Sequence, residues 1–233
     1  RHTYEVSLIF SPVCDGSFLP KKPMKAWAEG AAKDIDIMIG CTEDEFTYFH
    51  FYFDDLPGFW HGQFPIHFDD QIDIDYWEQA YRKAWPERDF AENYTNFMNS
   101  TGFFVGTDLM AEEQSAFKPV YNYLFRYKSR VEGMGSCHAI EVPFVFKNLD
   151  TASGLMFTGD NPPAHLADEM NDAWFSFAKT GKPFVEGKAP WDPYTAENHI
   201  HMVIDENEWK PVHSLHAKED SVFRPMYEVL LND

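Results

Sequence analysis

The stretch "GSCHAIEVPFVF", residues 135–146, places a histidine directly after a glycine-containing turn and ahead of an apolar run. Imidazole changes charge near neutral pH, so a loop histidine in this setting is a candidate proton shuttle. The residues before it supply the scaffold. "VYNYLFRYKS" (120–129) is β-branched or aromatic for most of its length and follows Pro119, as a strand does. A second apolar run, "IDIMIG" (35–40), ends at Gly40, and a third, "HIHMVID" (199–205), follows later. Between the last two lies "LADEMNDAWFSFAKTG" (166–181), with Leu166, Met170, Ala173, Trp174 and Phe177 on one helical face and Gly181 where a helix ends.

Strands alternating with helices predict an α/β architecture with a largely parallel sheet. In open α/β sheets functional groups gather on loops beyond the carboxyl ends of the strands. Two loops qualify. The one after "IDIMIG" carries Glu43, Asp44 and Glu45, and the one after "VYNYLFRYKS" carries His138. A carboxylate bonded to imidazole Nδ1 fixes the tautomer and stabilises the imidazolium, so an acid followed by a histidine is the chemistry available. Three or four strands make a thin sheet for 233 residues that are 44% hydrophobic and 17% aromatic, which suggests one portion of a larger fold.

Other segments are read more simply. "PMKAWAEGAA" (23–32) predicts a short helix, "TEDEFTYFHFYF" (42–53) a helix start turning aromatic, and "DDLPGFWHGQFPIHFDDQIDID" (54–75) a loop excursion or a cap near a pocket. Residues 75–98 predict helices broken at Pro86, and "TDLMAEEQSAF" (107–117) a helix capped by Thr107. After "HIHMVID" the reading is an acidic, aromatic tail. No internal repeat is visible.

Charge and composition narrow the function classes. With 38 acidic against 19 basic residues the formal charge is −19, which repels phosphate backbones and excludes nucleic acid as a partner. No apolar run reaches the roughly 18–20 residues of a membrane span, so the chain reads as soluble, with its compartment open and a secreted location compatible. Three cysteines are too few for a disulfide framework. "NYT" at Asn93 and "NST" at Asn99 match the glycosylation sequon. His199 and His201 share a strand face, and His213 and His216 stand three apart. No cysteine or acid is spaced to complete a zinc set, so no metal is expected. The many Asp residues between 54 and 75 lack a calcium-loop pattern and read as a solvated surface.

Four segments together carry a resemblance. "FSPVCDGSFLP" (10–20), "GCTEDEFTYF" (40–49), "GSCHAIEVPFVF" and "MNDAWFSFAKTGKPFVEGKAPWDPY" (170–194) resemble, in order, motifs of the type-B carboxylesterases and cholinesterases. The resemblance covers nearly the whole chain. It implies the C-terminal part of one α/β-hydrolase domain spanning residues 1–233, with 50–118 a mainly helical and loop excursion near the active-site gorge. It further implies hydrolysis of carboxylic esters through a Ser-Glu-His triad that needs no cofactor. By position His138 is the base and Glu45 the orienting acid, with Asp44 the fallback and Glu141 a structural support. Phe46 departs from the pattern, which commonly has glycine there.

The nucleophile is the missing part. The family's serine sits in a G-x-S-x-G elbow, and no such motif, nor a glycine-rich oxyanion loop, occurs in this sequence. Ser136 and Cys137 lie too close to His138 for triad geometry. The resemblance therefore implies a partner, an N-terminal chain of the same precursor carrying G-x-S-x-G. A reading from a different class is a noncatalytic, cholinesterase-like interaction domain.

Overall fold

The structure is a computed structural model that describes residues 12–67 and 72–231. Of the segments read above, Phe10 and Ser11 at the head of "FSPVCDGSFLP" and residues 68–71 of the excursion, Asp69 and Asp70 among them, lie outside those residues. A four-stranded sheet of order β1-β2-β3-β4 organises the chain: β1 (Ile37–Thr42), β2 (Val120–Phe125), β3 (Ile200–Ile204) and β4 (Trp209–His213). The first three are parallel and β4 is antiparallel. The register sets Ile37 opposite Val120 and Thr42 opposite Phe125, and Tyr123 opposite Met202. Every residue of β3 and all but Tyr123 of β2 are buried, which is why both read as continuous apolar runs rather than alternating ones.

Helices α1 (Pro23–Ala28), α2 (Leu56–His67), α3 (Ile74–Ala84), α4 (Tyr94–Asn99) and α5 (Val105–Ser115) precede or fill the interval between β1 and β2. Helices α6 (Val142–Val145), α7 (Ala152–Thr158) and α8 (Ala164–Thr180) lie between β2 and β3, and α9 (Ala217–Glu228) closes the order. The α8 stripe is as its spacing predicts: Leu166, Ala167, Met170 and Ala173 are buried, and Gly181 ends the helix at φ 74°. Two cores result. One is aromatic, built by Phe46, Trp60, Phe64, Tyr81, Phe97 and Phe223 with their neighbours, and the other packs Phe125, Cys137, Ile140, Phe144, Leu166 and Met170 beside the sheet.

Several expectations are corrected. The excursion from residue 54 contains α2, because Asp55 accepts the Gly58 N–H at 2.9 Å as a cap does, and Pro57 falls in the first turn, where its missing N–H costs nothing. Thr107 is no cap. A π-helical turn at Ser100–Phe104 joins α4 to α5 without a break, and the Thr107 hydroxyl instead accepts from Cys41 Sγ at 3.2 Å. Residues 42–53 open with a 3-10 helix, Glu45–Phe51, rather than an α-helix. The expected tail is β4 and α9, made possible by a tight turn in which the Asp205 carboxylate accepts the Asn207 and Glu208 N–H groups. The Asn99 sequon cannot carry a sugar, since Asn99 is buried and bonded on both ends of its amide.

Candidate active site

The loop after β1 and the loop after β2 meet over the carboxyl ends of the parallel strands. Backbone bonds join them: Asp44 N donates to Ser136 O at 2.9 Å, and His138 N donates to Glu45 O at 3.2 Å. The seam between the two cores runs through this junction. Phe46, beside Glu45, anchors in the aromatic core, while Cys137 and Ile140, flanking His138, anchor in the other. Burying each such ring or aliphatic side chain contributes about 1.5–3 kcal/mol, so both loops are held firmly.

Glu45 and His138, 93 residues apart, are brought into contact with His138 Nδ1 2.6 Å from Glu45 Oε2. The other carboxylate oxygen, Oε1, accepts the Thr42 N–H at 2.7 Å. The Glu45 side chain is 5% exposed, against 45% for His138. The hydrogen bond from Glu45 raises the imidazole's pKa above its ordinary value, although burial works in the opposite direction. Among the described residues no hydrogen bond engages Nε2. The carboxylate thus engages Nδ1 and leaves Nε2 open, an arrangement in which Nε2 can exchange a proton.

Asp44 is turned elsewhere. Its Oδ2 accepts the Ser136 N–H at 2.7 Å and the Lys128 ammonium at 2.6 Å, so it braces the turn rather than touching His138. Gly135 makes that brace possible, because at φ 60° a Cβ would stand 2.5 Å from Asp44 Oδ2. Ala139 also occupies the left-handed region, at φ 64°, so left-handed residues bracket the segment that presents His138. Glu141 sits at the N-terminus of α6 with its Oε2 buried and unpartnered, and burial pushes its carboxyl up to about 7.

Neither neighbouring nucleophile is usable. Ser136 is fully buried and its hydroxyl donates to Phe125 O at 2.8 Å. Cys137 is fully buried, and burial pushes its thiol up to about 12, far from the reactive thiolate.

Residues that sequence reasoning missed complete the surroundings. Asn99, at the end of α4, accepts the Phe46 N–H at 2.9 Å and donates to Glu43 O at 3.3 Å, which ties the helical segment to the acid loop. Phe103, from the π turn, and Phe49 flank the imidazole with ring centroids 5.5 and 6.1 Å away. Phe46 packs edge-on against Trp60 and Phe103, and Gly102 gives it room: a Cβ there would lie 2.6 Å from the Phe46 ring. The only advance signal for these was the aromatic density after Glu45.

A second acid and histidine constellation was not foreseen. Asp108 Oδ1 lies 2.7 Å from His201 Nε2, and Oδ2 lies 2.9 Å from His216 Nδ1. Burial would raise the Asp108 carboxyl, but His201 and His216 override it and hold it well below the usual range. All three are buried, with Asp108 and His201 sealed to 2% and 1% exposure, so a substrate carbonyl has no approach comparable to that at His138.

Among the described residues no helix is long and apolar enough to cross a membrane. The model of the carboxylesterase family matches residues 2–223. The chain is 31% identical over 208 residues to the para-nitrobenzyl esterase of Bacillus subtilis (strain 168), covering 85% of this chain and 40% of that protein. It is 26% identical to the phenmedipham hydrolase of Pseudarthrobacter oxydans, covering 86% of this chain and 41% of that protein. In three dimensions it matches the carboxylesterase of Geobacillus stearothermophilus with a TM-score of 0.71 and 29% identity, covering 91% of this chain and 45% of the other. The chain therefore spans about 40% of the length of these curated relatives and forms part of an α/β-hydrolase fold. With residues 2–223 of its 233 matched by the family's model, the chain belongs to the carboxylesterase family.

Proposed function

We propose that this chain supplies the acid and the base of a serine carboxylic-ester hydrolase, with Glu45 orienting His138. The serine and the oxyanion hole come from the N-terminal chain of the same precursor, which carries G-x-S-x-G. The observation that carries this reading is the 2.6 Å bond between Glu45 and His138 Nδ1, with Nε2 left open. Residues 1–233 are then the C-terminal portion of one hydrolase domain, and 50–118 form the wall of the site. The relatives' greater length supports a missing half.

The chemistry follows from these groups. Nε2 takes the serine proton as the hydroxyl attacks the ester carbonyl, and Glu45 stabilises the imidazolium that forms. The imidazolium then gives that proton to the leaving alkoxide, which completes the acyl-enzyme. In deacylation a water molecule gives a proton to Nε2 as its oxygen adds to the acyl carbon. The imidazolium returns that proton to the serine oxygen as its bond to the acyl group breaks and the carboxylic acid leaves. Phe49 and Phe103 make the approach to His138 apolar, which suits an ester with an aryl or alkyl acyl or alcohol part.

The test is hydrolysis of a p-nitrophenyl ester by the complete protein. His138→Ala lowers kcat by roughly three to four orders of magnitude, and the isolated 233-residue chain shows no serine-dependent turnover. Near-normal turnover by the variant would remove His138 from the mechanism. Robust turnover by the isolated chain would remove the need for a second half.

A further inference from the structure

The second constellation has the composition of a metal centre. His201 comes from β3, His216 from the N-terminus of α9 and Asp108 from α5, and one ligand atom from each lies within 4.8 Å of the others. The acid that the two histidine motifs lack in sequence arrives from 93 residues away. His216 is held in orientation by Phe104, whose ring stacks parallel on it at 4.4 Å. A buried fourth group faces the same point. Asn122 of β2 is 1% exposed, and its amide nitrogen lies 2.9 Å from Asp108 Oδ1 and 3.1 Å from His201 Nε2, while its Oδ1 has no partner.

We propose that Asp108, His201, His216 and Asn122 form a structural zinc site. A tetrahedral ion with bonds of about 2.0–2.2 Å sets its ligand atoms about 3.3 Å apart. The present spacings, 2.7 Å from His201 to Oδ1 and 2.9 Å from His216 to Oδ2, fall short of this by about half an ångström, so the Asp108 carboxylate draws back and turns one oxygen toward the ion. Half a turn of the Asn122 amide puts its orphaned oxygen where the nitrogen stands, and so supplies the fourth ligand. The ion displaces the imidazole protons now shared with the Asp108 carboxylate, leaving two neutral imidazoles, one carboxylate and one amide oxygen, a set suited to zinc. Four protein ligands close the coordination sphere, which assigns the ion to structure rather than catalysis. It would cross-link α5, β2, β3 and α9.

The test uses the complete protein stripped with chelator, dialysed against Zn2+ and analysed for metal. One tightly held zinc per chain is expected, with affinity weakened at least about 100-fold in His216→Gln. Cobalt loading of the wild type gives an independent readout that needs no variant: a strong tetrahedral d–d absorption band is expected. No retained zinc, zinc retained equally by a folded His216→Gln, or a weak octahedral cobalt spectrum would each leave a hydrogen-bonded cluster only and overturn the assignment.

Discussion

Replacing Glu45 with Gln keeps the side chain's shape and removes its charge, and the structure dictates how the amide sits. Oε1 accepts the Thr42 N–H at 2.7 Å, so the Gln oxygen stays there and the NH2 group turns toward His138 Nδ1. A donor facing Nδ1 draws its lone pair and sends the proton to Nε2, the atom that must act as base. The charge loss adds to this. With the carboxylate and imidazolium centres about 4 Å apart and an effective dielectric constant near 20, the lost attraction is about 4 kcal/mol. At 1.36 kcal/mol per decade, that slows kcat by about a thousandfold.

The pH dependence separates this account from simple misfolding. Glu45 raises the His138 pKa, so the imidazole stays protonated, and inactive as a base, to a higher pH than an ordinary histidine. In the wild type the rising limb of kcat/KM therefore lies above the ordinary value of 6.5. In Glu45→Gln the residual activity rises at lower pH. The assay is p-nitrophenyl ester hydrolysis by the complete protein across this range. Turnover within tenfold of wild type, or a limb that moves upward, would refute the reasoning.

Two further outcomes are expected. Gly135→Ala forces a side chain into a left-handed backbone and against Asp44, so it should cost about 1–3 kcal/mol in urea unfolding and lower kcat by disturbing the turn below His138; unchanged kcat would show that the brace is dispensable. Glu141 has its folded-state pKa raised from 4.5 to about 7 by burial, so stability falls as pH rises from 4.5 to 7 and stays lower above. Glu141→Gln should therefore match wild type near pH 4 and exceed it by roughly 3 kcal/mol at pH 8, and an advantage that is independent of pH would contradict a buried, unpaired carboxyl.

What the sequence disclosed depended on how locally each feature is encoded. β2 and β3 were legible because strands buried on both faces read as nearly unbroken apolar runs, β1 because its half-buried apolar run stops at a glycine, and α8 because its stripe ends in one. The two loops were legible as the segments beyond strand ends, and the choice of Glu45 among three acids came from the family resemblance alone. α2 was hidden because Asp55, Leu56, Pro57 and Gly58 read equally well as a turn, and only the Asp55 cap decides for helix. Asn99 wore the pattern of a sequon while serving as a buried tie. The Asp108 cluster draws one side chain from each of several elements, and no spacing along the chain reports such a convergence.

The tie between the two active-site loops is made by main-chain bonds, Asp44 to Ser136 and His138 to Glu45, and the helical segment between the strands reaches the pair chiefly through Asn99 and Phe103. On the proposed function, proton-transfer geometry and pocket shape therefore rest on different residues. Exposed positions of α2 to α4 can then be varied to change which ester fits, whereas Trp60, Phe64, Tyr81 and Phe97, which pack around Phe46, and Asn99, which holds its N–H, have to be kept for acid and base to stay aligned. For directed evolution this marks where diversity is tolerated and where a single backbone change ends activity.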